Sequence, residues 1–192
     1  MNLCAQAILD FWFGPATSPD YGKPREEWFE KDPDFDAAVR HHFESDYEKA
    51  RDGAYDAWQE TPAECLALVI LLDQFPRNMF REDARAYATD AKALDCARHA
   101  LAAGFDRMVG DTGRTFFYLP FEHAEDMASQ DRALELFHAL PGWEAPGSPY
   151  QYARRHWDII RRFGRFPHRN KVLGRVSTPA EAVFLTLPDS GF

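Results

Sequence analysis

Apolar residues along this chain recur three and four positions apart, the period of a helix that turns one face to a core. Asp32-Pro33-Asp34 offers an N-cap, a proline at the first helical position and an acidic first turn. Phe35, Val39, Phe43 and Tyr47 then mark the apolar stripe of a helix running toward Gly53. Thr61-Pro62-Ala63-Glu64 reads as a capping box with proline at N1, and the same four residues return as Thr178-Pro179-Ala180-Glu181, so each predicts a helix start. Further helices are predicted over Asp90 to Ala103, closed by Gly104, over Gly113 to about Met127, over Ser129 to Leu140 and over Ser148 to Phe163. Turn-rich breaks fall at Gly14 to Pro24 and Pro141 to Pro149, and no segment alternates with period two between hairpin turns. The pattern predicts an all-α protein without strands, a single domain over residues 1–192 with about seven to nine helices.

One predicted helix, Pro62 to Phe75, is apolar all round, because Leu66, Ala67, Leu68, Val69, Ile70, Leu71 and Leu72 cover every face. Such a helix is buried. Asp73 shares a side with Leu66, Val69 and Ile70, and a carboxylate is tolerated there only when paired or hydrogen-bonded. Arg77, one turn on, or an arginine of a later loop is the expected partner, and the pair serves either to lock the helix end or to meet a ligand. Phe75-Pro76-Arg77-Asn78 is echoed by Phe166-Pro167-His168-Arg169-Asn170. The echo is not a tandem repeat, since the first follows its Thr-Pro-Ala-Glu helix and the second precedes its own, and the Trp/Gly/Tyr spacing of a 34-residue tetratricopeptide repeat is not visible.

In the segment Phe117 to Asp126, Pro120 either begins a helix or kinks one. Phe117, Phe121, Ala124 and Ala128 make the stripe, leaving His123 at its edge with Asp126 one turn on. That spacing suits a His–carboxylate pair lining a pocket, the carboxylate fixing the tautomer and raising basicity, and equally a histidine hydrogen-bonded at a core boundary. This segment does not supply the Glu-x-x-His spacing of a di-metal bundle, so no metal is expected. From Arg154 to Arg175 eight of the 22 Lys and Arg residues are concentrated, opposed only by Asp158. Arg154, Arg155, Arg161 and Arg162 share a helical face with Asp158 and read as a solvated surface. Arg165, His168, Arg169 and Lys171 fall in the loop Gly164 to Gly174 and Arg175 directly after it, where guanidinium forks suit carboxylate or phosphate recognition. His156 lies in the arc of Tyr152, Trp157, Ile160 and Phe163 and reads as a core histidine. No Gly-rich phosphate loop, Gly-x-Ser-x-Gly elbow or His-Glu-x-x-His occurs, so no cofactor is expected.

Composition narrows the classes of partner. The chain is 45% hydrophobic and 15% aromatic, which fits a packed globular core. Its net charge of −9 disfavours nucleic acid and anionic membrane, because the long-range field repels phosphate. No apolar run approaches the roughly 18 residues of a membrane span, and Met1 to Phe13 lacks a basic leader. Cys4, Cys65 and Cys96 are odd in number, far apart and set in apolar patterns, which fits a reduced cytoplasm rather than a disulfide framework. Nothing in the pattern speaks to oligomeric state.

Three ordered motifs, Leu72 to Asn78, Leu119 to Asp126 and Gly164 to Asn170, together with Ile8 to Gly14 and the final Thr178 helix, resemble the bacterial domain-of-unknown-function family nine-two-four across nearly the whole chain. The resemblance implies a tetratricopeptide-like helical fold and no particular activity. Ala124 stands where the family commonly carries a small hydroxyl residue, so no hydroxyl is implied beside His123. The residues expected at a site are His123 and His168 as acid or base, with Asp73, Arg77, Asn78, Glu122, Asp126, Arg165, Arg169 and Asn170 around a ligand. The expectation is a pocket for a small anionic molecule where the two Phe-Pro loops meet the His123 helix, Arg77, Arg169 and His123 bordering it. The alternative is an interaction module gripping a peptide or partner protein through its arginines and exposed aromatics.

Overall fold

The computed structural model describes residues 1–188, 190 and 191, and among these every regular element is helical. By its internal contacts the chain forms two compact units, the first from Met1–Arg81 and Arg85–Pro120, the second from Glu82–Ala84 and Phe121–Phe192. No helix of the described residues is long and apolar enough to cross a membrane.

The first unit begins with α1 (Leu3–Phe13), capped by the Asn2 side chain on the Cys4 amide, and α2 (Pro33–Arg51), capped by Asp32 as its sequence predicts. The long apolar helix is more complex than its pattern suggests. It runs as α3 (Pro62–Val69), a π turn over Ile70–Gln74 and α4 (Phe75–Met79). Pro76 therefore does not stop the helix. It removes one main-chain donor, and the Leu72 carbonyl four residues back accepts instead from the buried Thr89 hydroxyl at 2.6 Å. The predicted Thr61 capping box does not close either, because the Glu64 carboxylate accepts from the Asn2 amide at 2.6 Å and from the Thr61 hydroxyl at 3.2 Å. Thr178 and Glu181 do close theirs, each side chain accepting from the other's amide.

Aromatic side chains fill the middle of this unit. Trp12 stacks on Trp28 at 5.6 Å and meets Phe75 and Phe116 at 5.5 Å each, while Phe43 lies 4.9 Å from Phe75. Such pairs add about 0.5–1.5 kcal/mol each beyond the area they bury. Next come α5 (Asp90–Ala102), followed by Gly104 in the left-handed region at φ +74°, and α6 (Asp111–Glu122).

In the second unit, α7 (Met127–His138) packs along α8 (Pro149–Phe163), which ends at Gly164 with φ +69°. A 3₁₀ turn at Pro167–Arg169 and α9 (Pro179–Phe184) complete it. Ile159, Ile160 and Phe166 form its core, with Met127, Phe163 and Phe184 against them. The predicted helix from Gly113 to Met127 ends early, at Glu122, because Asp126 takes extended geometry and caps α7 by accepting from the Ser129 amide at 2.8 Å. A capping aspartate one turn beyond His123 reads in sequence like a helical neighbour, and this accounts for the misplaced boundary.

Candidate functional site

The structure divides the expected site residues by unit. In the first, Asp73 is fully buried, accepts from the Gln74 side chain at 2.6 Å and faces the Arg77 guanidinium at 3.4 Å. Arg77 in turn forms a two-pronged pair with Asp90 at 2.9 and 3.1 Å and donates to the Asp73 carbonyl at 2.6 Å. Asn78 donates to Asp36 at 2.9 Å. These contacts hold α4 against α2 and α5, as the helix-locking alternative for Asp73 requires.

In the second unit two arginines of the Gly164 to Gly174 loop and its flank are engaged in the same way. Arg165 forks onto Glu181 at 2.6 and 2.8 Å, and this bond holds the Glu181 carboxyl down at about 2. Arg175 forks onto Glu125 at 2.6 and 3.0 Å and donates to the Phe166 carbonyl, while the Phe166 amide donates back to Glu125 at 2.7 Å. Burial raises the Glu125 carboxyl, but Arg175, the Phe166 amide and the nearby Arg169 charge more than offset it and leave it lowered. Asn170 accepts from Arg175 and donates to Ser177 and Glu181. Asp126, exposed at its cap, is not beside His123 on a shared helix.

The remaining residues gather around Phe166, which is fully buried. The Arg169 guanidinium lies 4.5 Å over its ring, the His168 ring is 5.7 Å away and the His156 ring meets it edge-on at 5.4 Å. Arg169 is only 5% exposed, so it belongs to the interior rather than to a surface loop. His123 lies 6.2 Å from His156, ring to ring.

His156 is the residue sequence reasoning missed. Its Nδ1 is 3.0 Å from Glu122 Oε1 and 2.9 Å from the Tyr152 carbonyl. Both neighbours only accept, so Nδ1 carries the proton and Nε2 is the nitrogen able to take one up. A His–carboxylate pair of the kind expected at His123 is formed by His156 and Glu122, 34 residues apart. The signal available was a polar pair, one in the motif and one in an apolar arc, each needing a buried partner. Gln130, also fully buried, donates to the Glu122 and Ala124 carbonyls at 2.6 and 2.8 Å and so seals the end of α6. Among the described residues, no three His, Cys, Asp or Glu side chains converge to hold a metal ion.

An all-helical chain with a buried carboxylate–imidazole pair is the class these features define. The chain belongs to the family described as "Bacterial protein of unknown function (DUF924)", which matches over residues 8–189. It is similar to the solved structure of the protein of unknown function ATU0120 from Agrobacterium tumefaciens, at 43% identity and a TM-score of 0.82, over 95% of this chain and 96% of that one. No curated protein matches it.

Proposed function

We propose that the second unit binds a small anionic molecule and exchanges a proton with it, His156 acting as acid or base under the orientation of Glu122. The observation that carries this reading is the 3.0 Å contact between Glu122 and His156, both buried, which with the Tyr152 carbonyl orients the ring through Nδ1. The anion reading centres on Arg169, whose guanidinium stacks on Phe166 beside the His168 and His156 rings. An arginine stacked on a buried ring presents its fork in a fixed plane, which favours recognition of a planar or tetrahedral anion.

Inorganic phosphate is the first probe. A ligand that binds only the folded chain raises the melting temperature in a saturable way, whereas exclusion from the surface raises it without saturation. Saturation is expected in the native chain and in Arg165→Lys, and loss of saturation in Arg169→Lys, which keeps the charge but not the fork. An unchanged response in Arg169→Lys would remove the anion site.

A second reading has its own observation. Along α8, Arg154 and Arg161 both lie over Trp157, at 4.8 and 5.0 Å, and Tyr152 is exposed. This basic, aromatic face favours an acidic peptide as partner, and titration of labelled poly-glutamate peptides against Arg154→Glu and Arg161→Glu variants tests it.

A further inference from the structure

Three glutamates are buried or half-buried in the second unit, and they are not treated alike. Glu181 and Glu125 each receive a two-pronged arginine. Glu122, 3% exposed, receives neither arginine nor lysine among the described residues. Its Oε1 is met by His156, and its Oε2 is buried with no hydrogen-bond partner. Gln130 Oε1 is in the same condition, fully buried and unmet, while the nitrogen of that same amide sits 2.6 Å from the Glu122 carbonyl. Among the described residues, the end of α6 and the Gln130 amide bonded to it therefore hold two strong acceptors lacking donors, one of them a carboxylate with no permanent cation against it. Native interiors satisfy such groups, and a buried carboxylate is the costliest to leave so.

We infer that Glu122 Oε2 and Gln130 Oε1 receive a primary ammonium group, so that the ligand of the second unit is a small amine that also carries an anionic group. An ammonium supplies both missing features together, since it is a point cation with three donors. A hydroxyl would supply one donor and no charge. A metal ion would ask for more ligands than the patch offers. His123 and Ala124, next to Glu122 in the chain, are half-buried. The inference rests on the proposed function only for its anionic half.

The test compares methylammonium, tetramethylammonium and potassium chlorides at matched ionic strength and pH 8 on the full chain. Methylammonium is expected to raise the melting temperature in a saturable way, and the other two are not, because neither can donate a hydrogen bond. Equal responses, or none, overturn the inference, and a persisting phosphate response that needs Arg169 would show that the anion site stands without it. Glycine should bind more tightly than methylammonium; if it does not, the amine site stands and the anionic half fails. Glu122→Gln supplies an N–H of its own to the patch, so it should lose the methylammonium response and raise the ligand-free melting temperature. Should that variant fail to fold, carbon-13 spectra of the native chain report directly, with the Glu122 carboxylate resonance moving on addition of methylammonium. A His156 ring that stays doubly protonated from pH 6 to 9 would supply the missing cation itself and overturn the inference.

Discussion

At the scale of single residues, the same chemistry recurs with different consequences. Asp73 is fully buried and its nearest cation is Arg77, but Arg77 keeps a second carboxylate in Asp90. Removing Asp73 therefore leaves the guanidinium partly compensated. Asp73→Ala should cost about 3 kcal/mol in urea denaturation, the low end for breaking a buried pair, because no bare charge is left behind. A loss below about 0.5 kcal/mol would mean that Asp90 alone satisfies the site. Glu181 differs, since its carboxyl lies at about 2 against an ordinary 4.5, chiefly through the Arg165 hydrogen bond. A lowered carboxyl contributes stability that is complete above its unfolded value and disappears as pH falls toward the folded one. Arg165→Met should flatten the loss of stability between about pH 5 and 2, and an unchanged acid slope would show that the pair contributes nothing there.

Elements show where pattern succeeds and where it stops. Helix starts were readable at Asp32, Ser148 and Thr178 because a cap is a local event, decided within four residues. Ends and irregular turns were less so. The π turn over Ile70–Gln74 lies in a stretch apolar on every face, where shifting the register by one residue changes nothing in the pattern. Its need is visible only in the fold, where Thr89, 17 residues from Leu72, supplies the donor that Pro76 lacks. Thr89→Val is isosteric and removes that donor, so it should cost about 1–3 kcal/mol, the penalty for an unmet buried carbonyl. Hydrogen exchange should then quicken first over Ile70 to Met79; uniform quickening across α1 and α5 would place the loss elsewhere. The Glu122–His156 contact escaped sequence reasoning for a related reason. Each half looked locally adequate, His156 as a core residue and Glu122 as part of a motif, and only tertiary folding reveals that they answer one another.

For the whole molecule, the titrating groups divide into two sets that bound its stability from opposite sides. On the acid side, Asp46 and Glu27 in the first unit and Glu125 and Glu181 in the second all have lowered carboxyls. Hydrogen bonds from Tyr55 and Lys49 outweigh burial at Asp46, and the Glu27 amide and then Arg25 act at Glu27. On the alkaline side, burial pushes the Cys65 thiol up to about 12 and those of Cys96 and Cys4 up to about 11, from an ordinary 9.0, with the Asp46 carboxylate adding to the effect at Cys4. Tyr47 and Tyr118 are raised as well, again chiefly by burial. A raised group contributes stability that is complete below its unfolded value and is lost as pH climbs toward the folded one. The stability of the chain should therefore decline toward pH 2 as the carboxylates are protonated, and decline again from about pH 9 to 12 as thiols and phenols are forced to ionise in apolar surroundings. Thiol reactivity supplies an independent check on the alkaline limb. At pH 8 a disulfide reagent should modify Cys65 and Cys96 only at the rate of global unfolding, since both are buried and remain protonated, and all three cysteines promptly in urea. Fast modification of Cys65 or Cys96 in the native chain, with no accompanying loss of structure, would show that local opening rather than thiol ionisation governs these sites, and the alkaline decline would then need another cause.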